Sequence, residues 1–238
     1  IIATGSKPKK LKVPGVEKVK YYDNESIFHI NDLPEKLLVV GGGPIGIEIA
    51  QAMNRLECKV TVIQHSNRIL EHDDATITDI LLKQLMKEGV EFIFNANVDR
   101  FISQRIGSVK FKHGKSEEIS FDAAFIGIGR ELDLESLQLG SAEIAVKDNE
   151  IVKDKYLRTT NKNVFVCGDV AGDLMFSHVA EFHARILLNN LFSPFKKKLN
   201  NDNMSWVTFT DPELATFGMN EKQLKERSCI ITEQYLAM

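Results

Sequence analysis

The sequence predicts an α/β fold built on a parallel sheet, and three observations carry that reading. Leu37–Val40 is a short apolar run, β-branched enough for a strand buried on both faces. Gly41, Gly43 and Gly46 follow at once in the spacing G-x-G-x-x-G. Then Ile47, Ile49, Ala50, Met53 and Leu56 recur at helical spacing, and Lys59–Ile63 reads as a second strand. Strand, glycine turn, helix and strand in that order form the context of a dinucleotide-binding turn. Gly41 permits the tight turn, Gly43 carries no side chain to hold a pyrophosphate off the backbone, and Gly46 lets the helix pack close to the strand. The helix N-terminus offers free N–H groups and a partial positive charge to phosphates.

Composition bounds the rest. With 238 residues, 43% hydrophobic and 26% charged, the chain suits one or two globular domains with a real core. A net charge of -3 argues against nucleic acid or an anionic membrane surface as a partner. The longest apolar candidate for a membrane span, Leu37–Met53, is broken by Gly41, Gly42, Gly43, Pro44, Gly46 and Glu48. No signal peptide is read at the start. Cys58, Cys167 and Cys229 are sparse and far apart, which fits neither a disulfide framework nor a metal site and makes a reducing cytoplasm the simplest location. Ile1–Gly5 reads like a strand leaving a core, and the chain stops soon after a strand-like Cys229–Thr232, so we read an internal piece of a longer protein.

Taken in order, the first 36 residues are loop-rich (Lys7-Pro8-Lys9-Lys10, Pro14-Gly15), with a short helix expected over Asn24–Ile30 and Asn24 as its cap. After the glycine unit, the second strand runs into Gln64, where an acid usually accepts the adenosine ribose hydroxyls. Gln64 does not repel a 2′-phosphate. His65 and Arg68 either face such a phosphate or are solvated surface residues, and the cofactor preference leans to NADP(H) on that basis. Asp79–Glu88 reads as an amphipathic helix stopped by Gly89. Val90–Phe94 is a strand, Val98–Ser103 and Ser108–His113 an antiparallel ribbon, and Ser120–Ile128 a buried strand ending in Gly127-x-Gly129-Arg130. Glu150–Val152 and Val164–Cys167 are strands. The second meets Gly168-Asp169, where the carboxylate either takes two sugar hydroxyls or caps the next segment. Val179–Leu191 is a helix, with His178 at its start; His178 and His183 read as structural rather than catalytic. Lys196–Lys198 is a basic turn. Trp206–Thr210, Asp211-Pro212-Glu213 and Asn220–Arg227 read as strand, turn and helix, the start of another domain.

Four stretches then line up: Ala3-Thr4-Gly5, Gly41–Glu48 (GGGPIGIE), Thr160–Asp169 (TNKNVFVCGD) and Trp206–Gly218 (WVTFTDPELATFG). Together they resemble the pyridine nucleotide–disulfide oxidoreductases of the dihydrolipoamide dehydrogenase, glutathione reductase and mercuric reductase group. The SHVAEFHARI stretch (Ser177–Ile186) is most similar to the mercuric-reductase-like branch. The resemblance covers essentially the whole chain. It implies a Rossmann-like NAD(P)-binding domain (34–149) inserted in an FAD-binding domain (1–33 and 150–200), followed by the start of an α+β dimerisation domain (201–238). It also implies FAD and NAD(P)H as cofactors, a homodimer, and a small disulfide, a lipoyl group or a metal ion as terminal substrate.

The resemblance assigns residues as well. Gly41, Gly42, Gly43, Pro44, Ile45, Gly46, Ile47 and Glu48 match the NAD(P) pyrophosphate loop, and Gln64, His65, Arg68, Val98 and Gly129 match further nucleotide positions. Thr4, Gly5, Ser6 and Asp169 match FAD contacts, and Met175, Phe176, Ser177 and His178 match the loop and helix start facing the flavin's O2 edge, where a helix N-terminus would stabilise negative charge. Glu48 resembles the carboxylate that pairs with a lysine beside flavin N5. Several positions depart from the family pattern. Gln64 replaces the acid of NAD-specific members, Pro44 stands where some members have a bulky gating residue, and Glu57 occupies a usual glycine position. The family's Cys-x4-Cys pair is absent from this chain, so no catalytic residue is assigned and the chain alone is expected to be nearly silent. Two alternatives are a flavoprotein reductase without a redox disulfide and an NAD(P)-binding sensor module.

Overall fold

The computed structural model describes residues 1–229 and Thr232. The strand expected over Cys229–Thr232 includes Ile230 and Ile231, which lie outside the described residues. The chain divides into two compact units. One holds Pro8–Gly129 and the segment from Val207 onward, the other Ile1–Lys7 and Arg130–Trp206.

In the first unit the chain runs β1 (Tyr21–Tyr22), β2 (Lys36–Val40), α1 (Pro44–Arg55), β3 (Lys59–Ile63), α2 (Ala75–Glu88) and β4 (Glu91–Ile93). A ribbon of β5 (Ala96–Ser103), β6 (Ile106–Phe111) and β7 (Ser116–Ser120) follows, and then β8 (Ala123–Ile126). The sheet order is β1-β8-β2-β3-β4 with every neighbour parallel, and β5-β6-β7 is antiparallel. Side chains alternate across a strand, and β2 shows the consequence. Leu37 and Val39 enter a core with Ile47, Ala50, Met53, Leu81 and Leu85 from the two helices. Leu38 and Val40 enter a second core with Val98, Phe101, Val109 and Phe121 from the ribbon side. Each such residue contributes about 1.5–3 kcal/mol of burial, so the strand reads as one unbroken apolar run because both faces are covered.

The elements differ from the sequence expectation in definite ways. The expected Ser120–Ile128 strand is two. Ser116–Ser120 closes the ribbon, and at the break Asp122 accepts the Lys36 N–H at 2.9 Å before β8 joins the sheet. The expected helix over Asn24–Ile30 is a single 3-10 turn, Ile27–His29, and Asp23 rather than Asn24 holds its start by accepting the Glu25 and Ser26 N–H groups. Helix α2 begins at Ala75, before the first apolar repeat, and Gly89 ends it in the left-handed region at φ 106°. Glu57, on the usual glycine position, also takes φ 72°. The helix exit is therefore kept, at the steric cost a Cβ incurs there.

The segment from Val207 onward belongs to this unit. Leu214 joins the helix-side core. Gln51 donates to the Asp211 carbonyl and accepts the Asp211 N–H, both at 2.8 Å. Thr216 donates to Asp73 at 2.6 Å, and the Asn220 side chain donates to the His72 carbonyl. Asn220 caps the short helix Glu221–Glu226 in a reciprocal box with Gln223.

In the second unit, Ile2 donates to Phe165 O and accepts from Cys167 N, so Ile1–Gly5 and Val164–Cys167 contribute isolated bridges rather than full strands. The helix α3 (Ser177–Phe192) buries Val179, His183, Ile186 and Leu187. Leu134, Leu139, Ile144, Ile151, Leu157 and Val166 complete that core. Residues 130–149 therefore sit in this unit. Two 3-10 turns, Glu135–Leu137 and Leu139–Ala142, present these apolar residues without a regular period, which is why periodicity did not place them. Among the described residues, no helix is long and apolar enough to cross a membrane, and no group of three His, Cys, Asp or Glu is placed to hold a metal ion.

Candidate functional site

The first unit's candidate site lies at the carboxyl ends of β2, β3 and β8, where open parallel sheets bind ligands. Gly41 leaves β2 at φ 109°, and a Cβ there would stand 2.4 Å from the Gly127 carbonyl oxygen. A Cβ on Gly46 would stand 2.0 Å from the Gly41 carbonyl oxygen, so helix and strand touch through backbone. Gly43 differs, since a Cβ there would meet nothing within 4 Å. Two glycines are thus required by the protein's own packing, and the third faces open space at the N-terminus of α1. Pro44 fills the first helical position, where its missing N–H costs nothing. Ile45 is exposed and Ile47 is fully buried. Gly129 also borders open space, at φ 103°. These residues fit a dinucleotide pyrophosphate.

The remaining expected nucleotide residues are placed as follows. Gln64 is only 4% exposed. Its Oε1 accepts the Gly42 N–H at 2.9 Å, and its Nε2 donates to Ser66 Oγ at 2.7 Å, to the Arg68 carbonyl at 3.3 Å and to Glu71 Oε1 at 3.4 Å. The Arg68 guanidinium turns to the carbonyls of Leu70 and Asp73. His65 is exposed, with Nε2 at 3.6 Å from Glu71. Val98 is buried in the ribbon-side core, opposite Val109, so its side chain does not border the loop. Glu48 accepts the Phe209 N–H at 2.8 Å. Glu71 was not singled out in the sequence; its only signal was an acid within the loop after β3.

The second unit holds the other set. Ser6 donates to Asp169 Oδ2 at 2.5 Å; Arg130 Nε donates to Ser6 Oγ at 2.5 Å and its Nη2 to the Ser6 carbonyl at 2.8 Å. Arg130 also stands 3.6 Å from Asp169. Thr4 and Gly5 lead into this cluster, with Gly5 at φ 71° beside open space. The structure thus brings Ser6 and Asp169 together and adds Arg130, whose position after a glycine pair was its only sequence signal. Gly168, at φ 75°, turns the chain over α3, and its N–H is donated to His183 Nδ1 at 3.2 Å. Burial holds the His183 imidazole below its ordinary value, and Asp173 opposes that effect. Met175 lies half-buried, Phe176 precedes α3, and its ring stacks on His178 at 5.4 Å and on Trp206 at 6.4 Å. Ser177 and His178 form the first turn of that helix, whose N–H groups are the donors a negatively charged ring edge would need. A hydroxyl, a carboxylate and a guanidinium brought together from three segments, next to glycine-made space, fit a sugar and phosphate chain such as that of FAD.

A concavity lined by Lys36, Lys59, Thr61, Glu91 and Phe121 lies at the amino ends of the strands, away from this chemistry. It is a gap between sheet and ribbon, without the convergent polar groups of a ligand site.

Residues 1–184 match the model of the family described as pyridine nucleotide-disulphide oxidoreductase. A mercuric reductase of Bacillus cereus is 33% identical over 232 residues, which cover 95% of this chain and 36% of that relative. The probable pyridine nucleotide-disulfide oxidoreductase RclA of Escherichia coli is 32% identical over 94% of this chain and 51% of its own length. Among solved structures, the HOCl-induced flavoprotein disulfide reductase RclA from Escherichia coli superposes with a TM-score of 0.84 at 31% identity, covering 94% of this chain and 52% of that one. The chain spans about half the length of these relatives or less. The glycine loop, the parallel sheet and the Ser6–Asp169 cluster lie within the matched region, and by that match the chain belongs to the pyridine nucleotide-disulphide oxidoreductase family.

Proposed function

We propose that this chain is the nucleotide-handling part of an FAD-dependent, NAD(P)H-linked disulfide oxidoreductase of the dihydrolipoamide dehydrogenase or mercuric reductase kind. The observation that carries the reading is the contrast within one loop: Gly41 and Gly46 have no room for a Cβ, while Gly43 opens on empty space at a helix N-terminus. When bound, the nicotinamide and flavin rings supply the hydride and electron chemistry. The chain's own residues bind and orient. The Gly43 backbone and the first turn of α1 receive the pyrophosphate. Ser6, Arg130 and Asp169 hold sugar hydroxyls and phosphate, and the first turn of α3 places N–H donors against developing negative charge.

The redox cysteine pair of such a relay would lie outside this chain. Burial pushes the Cys58 and Cys167 thiols up, away from the thiolate that disulfide exchange needs. The terminal electron partner, whether a small disulfide, a lipoyl group or a metal ion, would also be read there. We include in the proposal a homodimer using the segment after Thr210, and a cytoplasmic setting, in keeping with the free Cys58, Cys167 and Cys229.

Calorimetric titration of the chain with NADH and NADPH, with and without FAD, tests the reading. Saturable binding of a dinucleotide, lost in Gly43→Val, is the expected result. A folded chain that binds neither dinucleotide under any of these conditions overturns it.

A further inference from the structure

The position where an acid would read the adenosine ribose carries Gln64, which taken alone does not repel a 2′-phosphate. The side chain's actual bonding turns it away from that role. Its Oε1 faces a donor, the Gly42 N–H, and its Nε2 faces three acceptors, Ser66 Oγ, the Arg68 carbonyl and Glu71 Oε1. That pattern fixes which end of the amide is which. It also leaves Gln64 buried and fully employed in bracing the loop. The carboxylate at the end of this chain of contacts belongs to Glu71. Its Oε1 lies 3.4 Å beyond the Gln64 amide nitrogen and 3.6 Å from His65 Nε2, and 38% of its side chain is exposed. Arg68, the best partner for a 2′-phosphate on sequence grounds, commits its Nη2 to the carbonyls of Leu70 and Asp73, and its Nε is buried.

We infer that Glu71 is the ribose-reading carboxylate of this site, delivered from the loop after β3, and that the site prefers NAD(H) to NADP(H). The inference rests on the dinucleotide reading of the Gly41–Gly46 loop. Its chemistry is simple. A carboxylate accepts from the 2′- and 3′-hydroxyls of a ribose, and it repels a phosphate dianion at the same place. The amide nitrogen of Gln64 orients that carboxylate without neutralising it. His65 Nε2 faces Glu71 from the exposed side at 3.6 Å.

The test is a fluorescence titration of the full chain with NADH and with NADPH at pH 8, for the wild type and Glu71→Gln. The substitution keeps the side chain's size and an oxygen for Gln64, so the loop should retain its fold; circular dichroism checks that. Expected is a tighter Kd for NADH than for NADPH in the wild type, by about tenfold or more, and a loss of about that factor in Glu71→Gln, with NADPH binding improved. Wild-type preference for NADPH, or a ratio unmoved by Glu71→Gln, overturns the role of Glu71 while leaving the dinucleotide site intact. Binding of neither nucleotide by the folded chain overturns both.

Discussion

Replacing Gly46 and Gly43 separately by alanine divides what the fold needs from what a ligand needs. At Gly46 the new Cβ would meet the Gly41 carbonyl oxygen at 2.0 Å and its carbon at 3.1 Å. Both are backbone atoms in the turn between β2 and α1, so the helix has to move about 1 Å to restore contact distances. Overpacking of this kind costs about 1–3 kcal/mol, and a backbone obstacle puts it at the upper end. Alanine returns about 1 kcal/mol of helix propensity. The net expectation is a loss of about 2 kcal/mol, or about 4–8 °C in Tm for a protein of this size. At Gly43 the Cβ meets nothing within 4 Å, and the backbone (φ -80°, ψ 179°) suits any residue. Stability should change by less than about 1 kcal/mol, the difference between glycine and alanine at a helix cap. Dinucleotide affinity should fall at least tenfold, since the methyl group occupies the approach to the loop. Urea melts followed by circular dichroism, paired with nucleotide titrations, read both. If Gly46→Ala is as stable as the wild type or more so, helix propensity outweighs the contact and the close-packing argument fails. If Gly43→Ala binds with unchanged affinity, the open space beside Gly43 is not where the ligand lies.

Two predictions concern pH. Hydrogen bonding from Arg55, with help from Gln84 and Gln51, holds the Glu88 carboxyl down at about 2, below its ordinary 4.5. Its folded value is depressed, so its contribution is complete above about pH 4.5 and lost as pH falls toward 2. Urea midpoints of Glu88→Gln should therefore approach those of the wild type across that window. His183 is held below its ordinary 6.5 by burial and accepts the Gly168 N–H, so the unfolded chain binds the proton more readily. Wild-type stability should fall as pH drops below about 6.5, and His183→Leu should lose that slope in the same melts, together with protection of the Gly168 amide from exchange.

The parallel core was legible because its signals are local. Leu37–Val40, the glycine spacing and the Ile47–Leu56 period each report the structure of their own segment, and Lys59–Ile63 was placed to the residue. The ribbon was half legible. Alternation marked two strands, but the third, Ser116–Ser120, is polar (SEEIS) and exposed along most of its length, so it carries no apolar period. The unit boundary was not legible, because it depends on where Leu134, Leu139 and Ile144 find partners some twenty to fifty residues away in a core built largely from turns.

For the site, sequence named the positions and left their directions open. Gln64, His65 and Arg68 stand at the end of β3 as their order requires, yet none of their side-chain bonds follows from that order. Gln64 turns inward because the Gly42 N–H, buried beside it, has to be satisfied. Arg68 turns to the Leu70 and Asp73 carbonyls because the loop after β3 folds back over it. With Gln64 and Arg68 turned inward, Glu71 stands as a half-exposed carboxylate at the loop's edge, seven residues beyond the position a motif would inspect. A fingerprint read by residue type at fixed offsets assumes that the side chain at the offset points at the ligand. Here the buried amide's own hydrogen-bonding needs displace that role, so the sign of the cofactor preference follows from the orientation of Gln64 rather than from its lack of charge.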